Sequence, residues 1–163
     1  GEHHTTRMCM ELLEKAVHPG CDLLDLGCGS GILSVAGILL GANDAVAVDI
    51  DPVAEHVALE NAKMNGLDEA HYHVLIGDVL TNEPLRQTIR REYDVVVANI
   101  VASVIIALAP FARTCCKKGT PFIVSGIIDE REDEVRQAIE REGFTITEIL
   151  RSEGWVAMLS KAN

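Results

Sequence analysis

Asp25-Leu26-Gly27-Cys28-Gly29-Ser30-Gly31 places three glycines at alternate positions between a predicted strand and a predicted helix. Residues 21–26 indicate a short buried strand, and residues 32–40 indicate a helix that Gly41 ends. Glycines let the chain turn tightly and let backbone approach a ligand with no side chain between. The stretch therefore predicts a strand, a ligand-binding turn and a helix, although a purely structural turn would also use these glycines.

Strands and helices alternate along most of the chain. Further strands are predicted at residues 45–48, 71–76, 95–98 and 122–125. Helices are predicted from a Thr6 cap to residue 17, from an Asp51 cap to Asn65-Gly66, at 84–92 and 102–116, and from an Asp129/Glu132 capping box to Gly143. Such alternation specifies a mostly parallel sheet with helices on both faces and ligands at the carboxyl ends of the strands.

The chain closes with two strands that have no helix between them. Residues 144–150 and 155–160 are joined only by Arg151-Ser152-Glu153-Gly154. Parallel neighbours need a crossover of a dozen or more residues, so this connection predicts a hairpin. We expect an α/β fold with a mostly parallel seven-stranded sheet and a final antiparallel hairpin, in one domain spanning residues 1–163.

Composition limits the class of protein and its partners. The 163 residues are 48% hydrophobic, enough for one core, and 25 Asp and Glu against 14 Lys and Arg give a net charge of −11. This charge disfavours direct binding of nucleic acid and suits a basic protein substrate, although it could serve solubility alone. No apolar run is long enough for a membrane span, and five cysteines without a C-x-x-C pair fit a reducing compartment. We expect a cytoplasmic protein without a membrane partner.

The spacing of the glycines separates two classes of cofactor. Dinucleotide enzymes use G-x-G-x-x-G, which would need glycine at position 32, where this chain has Ile32. The observed G-x-G-x-G resembles the loop of S-adenosylmethionine-dependent methyltransferases. That resemblance implies S-adenosylmethionine as cofactor and S-adenosylhomocysteine as product, with Gly27, Gly29 and Gly31 at the cofactor.

Three polar residues follow predicted strands at the edge where the ligand is expected. Asp49 can accept both hydroxyl hydrogens of a ribose, or can be structural, while Asp51 two residues on is more simply a helix cap. Asp78 could accept a hydrogen bond from the adenine amino group, although Asp is also common in loops. Asn99 can accept from an amine and direct its lone pair toward the methyl carbon, or can merely cap the next helix. We expect Asn99 to be the catalytic residue and expect no dedicated base.

The opening segment contains adjacent histidines, His3 and His4, which do not predict a metal site. Adjacent positions rarely bind one ion together, and nothing downstream completes a ligand set. No metal is therefore expected.

Five stretches, taken in order, resemble the bacterial PrmA-type ribosomal protein methyltransferases over essentially the whole chain. They are Gly1-x-His3-x-Thr5-Thr6, the glycine loop continued to Ser34, Val48-Asp49-Ile50-Asp51-Pro52, Ala98-Asn99-Ile100-Val101-Ala102 and Ser125-Gly126-Ile127. The resemblance implies a Rossmann-like class I methyltransferase in which Thr6, Gly27, Asp49 and Asn99 contact the cofactor. It implies lysine side-chain and N-terminal amines of the eleventh large-subunit ribosomal protein as acceptors. Family members carry an N-terminal substrate-recognition domain that is absent here, so we expect a C-terminal fragment of a longer chain.

Other functions use the same cofactor loops and stay open at this point. A related methyltransferase could act on a small molecule or on another protein. A non-catalytic module could bind S-adenosylmethionine without turnover. A nicotinamide-binding dehydrogenase is the least favoured alternative, because Ile32 stands where the dinucleotide motif needs glycine.

Overall fold

The computed structural model describes residues 2–163, with side chains from His3 onward, so Gly1 of the opening motif lies outside the described residues. The helices are α1 (Glu2–Ala16), α2 (Ile32–Leu39), α3 (Val53–Met64), α4 (Glu83–Ile89), α5 (Ala102–Thr114) and α6 (Glu132–Arg141). The strands are β1 (Asp22–Leu26), β2 (Asp44–Asp49), β3 (Tyr72–Ile76), β4 (Val95–Asn99), β5 (Pro121–Ile128), β6 (Phe144–Ser152) and β7 (Trp155–Ala162). Short 3₁₀ turns precede β3 and α6.

The strands of the described chain form one seven-stranded sheet in the order β3-β2-β1-β4-β5-β7-β6. Strands β1 to β5 are parallel, and β7 runs antiparallel between β5 and β6. The β6–β7 hairpin turns on Glu153 and Gly154, both with positive φ, as a two-residue turn of type I′ requires. The mostly parallel sheet and its final antiparallel hairpin are therefore confirmed.

Both faces of the inner strands of the sheet are buried, which explains why these strands are largely apolar. Along β4, Val95 and Val97 face a core shared with α1, α2 and α3, whereas Val96 and Ala98 face a core shared with α4, α5 and α6. Successive side chains of a strand point to opposite faces, so both sets must be apolar when helices cover both faces. The sequence order reverses between β1 and β4, and their carboxyl ends therefore frame the crevice where such sheets bind ligands.

The helix ends show which capping predictions hold. Helix α3 takes Pro52, rather than the predicted Asp51, as its N-cap and has no side-chain cap. Asp51 still lies against the start of this helix, because its Oδ1 accepts from the Val53 N–H at 3.0 Å and its carbonyl accepts from the Ala54 N–H at 2.9 Å. The capping box at Asp129 is wrong. Strand β5 runs on to Ile128, the Asp129 N–H donates to the Gly154 carbonyl at 2.9 Å, and a 3₁₀ turn leads into α6 without a side-chain cap.

The predicted Thr6 cap is also wrong, because α1 already begins at Glu2 and Thr6 lies inside it. The buried stripe of α1 extends back from Cys9 through Met8 to Thr5, at helical spacing. Thr5 is polar, so a pattern of apolar residues alone does not show that the stripe includes it.

Candidate active site

A cavity of about 430 Å³ opens at the carboxyl ends of β1 to β4. It is lined by Leu26, Gly27, Val48, Asp49, Ile50, Gly77, Asp78, Val79, Leu80, Ile100, Val101, Val104 and Leu108. The volume lies within the roughly 300–1,000 Å³ typical of small-molecule sites. Asp49 and Asp78 are the ionisable side chains in this lining, so the cavity is apolar apart from two carboxylates.

The three loop glycines all have positive φ, but they contribute differently to the site. The Gly27 backbone lines the cavity, and a Cβ there would lie 2.4 Å from Ile100 Cγ2. A Cβ on Gly31 would lie 2.8 Å from the Ala58 Cβ, so this glycine lets the loop pack against α3. At Gly29 no atom lies within 4 Å of the Cβ position, so that side of the loop is open. Of the three, Gly27 is thus the one that borders the cavity.

Asp49 ends β2 and is held in place by two backbone donors. The Gly29 N–H donates to its Oδ2 at 2.7 Å, and the Asp51 N–H donates to its Oδ1 at 2.9 Å. Each carboxylate oxygen has a second acceptor position. The carboxylate is therefore fixed at the cavity wall and can still accept two hydroxyl hydrogens.

Asp78 lies across the cavity, in the turn that follows β3. Its Oδ1 accepts from the Leu80 N–H at 2.9 Å, and its carbonyl accepts from the Asn82 N–H at 2.8 Å. The side chain is half-buried and lines the cavity, with oxygen lone pairs left to accept further hydrogen bonds.

Asn99 ends β4 beside the cavity rather than in its lining. It pairs in register with Ser125 of β5 and is half-buried, while the next residues, Ile100 and Val101, line the cavity. The alternative role as a helix cap is excluded, because α5 takes Val101 as its N-cap and has no side-chain cap.

The opening motif reaches the same edge of the sheet through α1. The Ser125 Oγ donates to the Thr5 carbonyl at 2.9 Å, which ties the first turns of α1 to β5 next to Asn99. Thr6 is half-buried there and is not among the residues that line the cavity. His4 contacts the Ser152 hydroxyl of β6 at 3.1 Å, so it lies against the hairpin.

Asp25, near the end of β1, opens the glycine motif, but the motif alone gave it no role. Its side chain is fully buried, and neither carboxylate oxygen has a hydrogen-bond partner among the described residues. The nearby Ser34 hydroxyl is engaged elsewhere, with the Gly31 carbonyl at 3.2 Å and the Tyr72 hydroxyl at 2.8 Å. Burial raises the pKa of Asp25 to about 7, the dipoles of the nearby Ser34 hydroxyl and N–H oppose this shift, and repulsion from Asp49 adds to it. A carboxylate between Leu24 and Leu26, in a strand predicted to be buried, was the available signal.

No three His, Cys, Asp or Glu side chains in the described part of the chain lie close enough to share a metal ion. None of its helices combines the length and the apolar character that crossing a bilayer requires.

Comparisons with known proteins agree on one family. A family model described as "Ribosomal protein L11 methyltransferase (PrmA)" matches residues 1–163. Curated proteins named ribosomal protein L11 methyltransferase from Bacillus cereus (strain B4264) and Lachnoclostridium phytofermentans are each 41% identical to this chain over 99% of it. The matched regions are 49% and 53% of those proteins, so the chain spans about half the length of the curated relatives it matches.

Solved structures confirm the fold class. The crystal structure of ribosomal protein L11 methylase from Lactobacillus delbrueckii subsp. bulgaricus is 28% identical, with a TM-score of 0.88 over 99% of this chain and 80% of that one. Magnesium protoporphyrin IX methyltransferase from Synechocystis PCC 6803, solved with bound SAM, is 17% identical, with a TM-score of 0.75 over 99% of this chain and 79% of that one. At that identity the second likeness concerns the fold alone.

Proposed function

The chain belongs to the ribosomal protein L11 methyltransferase (PrmA) family, and from this premise we propose that residues 1–163 form an S-adenosylmethionine-dependent methyltransferase domain. Its acceptors are the lysine side-chain and N-terminal amines of ribosomal protein L11. One observation carries the proposal: the Asp49 carboxylate, fixed by two backbone N–H groups, faces an apolar cavity at the point where the strand order reverses.

The residues around the cavity fit a nucleoside with a charged sulfur at its end. Asp49 would accept from the two ribose hydroxyls, and Asp78 from the adenine amino group. The Gly27 backbone borders the cavity without a side chain, and Gly29 and Gly31 hold the loop in the shape that this approach needs. Thr6, on α1, would contact the cofactor from the side of β5. Bound there, S-adenosylmethionine supplies a methyl group on a positively charged sulfur.

Residues near the site of methyl transfer would position the acceptor amine and exclude water. Asn99 would accept a hydrogen bond from the acceptor amine and so direct the nitrogen lone pair. An acceptor lysine, with an ordinary pKa of about 10.4, must be neutral to react. The apolar walls at Ile100 and Val101 favour the neutral amine, whereas the carboxylates of Asp49 and Asp78 oppose this. No side chain in this set acts as a dedicated base.

The net charge of −11 fits the basic character expected of a ribosomal protein partner and disfavours direct binding of nucleic acid. A partner of this kind also places the enzyme in the cytoplasm, where ribosomal proteins are made and assembled.

Calorimetric titration with S-adenosylmethionine and S-adenosylhomocysteine tests this function, with NAD as a ligand that should not bind. We expect Asp49→Ala to weaken the binding of both S-adenosylmethionine and S-adenosylhomocysteine at least tenfold, because two hydrogen bonds to a charged acceptor are lost. Asp51→Ala is the matched control: it removes the same charge two residues away but keeps the N–H that holds Asp49. Tight binding of NAD, or equal losses in the two variants, would contradict the proposal.

A further inference from the structure

Strand β5 is irregular at the point where it passes Asn99. Its pairing with β7 shifts register between Val124 and Ile127, which is a β-bulge, and within this bulge Gly126 has φ +86°. Bulges bend a strand locally and re-aim its neighbours. Gly126 follows Ser125, the register partner of Asn99, so the bulge lies directly beside the proposed catalytic residue.

The bulge brings backbone against the end of β4 with no side chain between. A Cβ on Gly126 would lie 2.7 Å from the Ile100 carbonyl oxygen and 3.1 Å from Asn99 Oδ1. The carbonyl belongs to the main chain and cannot rotate aside. The space that a side chain at position 126 would fill therefore holds the amide oxygen of Asn99 and the carbonyl of Ile100.

The same short segment is held from two other directions. The Ile100 N–H donates to the Ser125 carbonyl at 3.0 Å, and Ile100 Cγ2 occupies the space that a Cβ on Gly27 would need. Asn99 and Ile100 thus lie between the glycine loop and the β5 bulge. Gly27 and Gly126 leave room for Asn99 and Ile100 because they have no side chain. A side chain added at either glycine would displace these two residues.

We propose that Gly126 is a positioning residue that sets the direction of the Asn99 amide toward the transferred methyl group. The proposal rests on the function proposed above, since it requires Asn99 to accept a hydrogen bond from an amine. Gly126 itself would touch neither the cofactor nor the acceptor and would act through Asn99.

Sinefungin gives a readout of this direction that needs no acceptor protein. In this analogue of S-adenosylmethionine an amine-bearing carbon replaces the methylated sulfur, so its amine can donate to Asn99 Oδ1. S-adenosylhomocysteine has no group at that point. The ratio of the two dissociation constants, measured by calorimetry, therefore reports the Asn99 contact separately from binding of the nucleoside.

We expect wild type to bind sinefungin about tenfold more tightly than S-adenosylhomocysteine, the factor typical of a hydrogen bond that involves a charged group. Asn99→Ala and Gly126→Ala should each bring the ratio close to one. Gly119→Ala is the matched control, because Gly119 has φ +89° and no atom within 4 Å of its Cβ position. It carries the same backbone strain without a contact and should keep the tenfold preference.

Asn99→Gln tests the same fit without altering the bulge, should Gly126→Ala fail to fold. If the Gly126 backbone limits the space, the longer side chain cannot direct its oxygen correctly and the preference is lost. Retention of the preference by Asn99→Gln, or by a folded Gly126→Ala, overturns the positioning role while leaving the proposed function intact. A wild type that binds neither ligand, or that shows no preference for sinefungin, overturns this inference together with the proposed function or the role of Asn99.

Discussion

Asp25 shows how a single buried group ties stability to pH. Its ordinary pKa is 3.8 and its pKa in the folded protein is about 7, chiefly because burial disfavours the charged form. Between these two values the folded state holds one proton more than the unfolded state. The free energy of unfolding therefore falls as pH rises from about 4 through about 7, and it levels off above that range.

We expect Asp25→Asn to remove this dependence, because the amide has a similar shape and stays neutral. The variant should gain stability relative to wild type between pH 5 and pH 8, by a few kcal/mol at about 1.4 kcal/mol per pKa unit. Urea unfolding of both proteins at the two pH values measures the change, and contributions of other carboxylates cancel in the difference. If the free energies of unfolding of variant and wild type differ by the same amount at pH 5 and at pH 8, Asp25 is charged in the folded protein at both pH values.

At the scale of single elements, the hairpin turn contains the one described non-glycine residue with positive φ, Glu153 at φ 51°. Asn tolerates this conformation better than Glu, and Asn-Gly is the preferred pair in turns of this type. We expect Glu153→Asn to raise the free energy of unfolding by about 0.5–1 kcal/mol. Glu153→Gln removes the same charge without favouring the turn, so equal gains in the two variants would assign the effect to charge instead.

Local sequence patterns predicted the order of the strands and helices but not the starts of α1 and α6. The order of strands and helices followed from apolar runs and glycine stops, because the inner parallel strands are buried on both faces. The start of α1 was missed because Thr5, a buried polar residue, continues its stripe. The Asp129 cap was predicted wrongly because β5 extends to pair with β7. Both errors concern contacts between distant segments, which a local pattern does not contain.

In the candidate site too, local sequence predicted some residues, whereas contacts between distant segments determine the role of others. Asp49 and Asp78 were predicted at strand ends and line the cavity, because position in a parallel sheet determines which side chains meet there. Gly126 was recognised only as part of a resemblance. Its contact with Asn99 arises from a bulge in a neighbouring strand, and a bulge depends on the pairing of β5 with β7.

At the scale of the whole molecule, most of the negative charge lies outside the cavity lining. The cavity lining contains two carboxylates, while the net charge of −11 belongs to the chain as a whole. An excess of charge speeds the approach of an oppositely charged partner, and salt screens this attraction over about 10 Å at 0.1 M. Acceptor binding and nucleoside binding should therefore respond differently to salt.

We expect the affinity for the proposed acceptor, ribosomal protein L11, to fall several-fold between about 50 mM and 300 mM salt, because long-range attraction is screened. Binding of S-adenosylhomocysteine, which carries no net charge at neutral pH, should change little because it depends on contacts inside the cavity. Titrations of both ligands across this range, with an acidic protein of similar size as control, measure the difference. An acceptor affinity that salt leaves unchanged would mean that shape and apolar contacts, rather than the charge of this domain, select the partner.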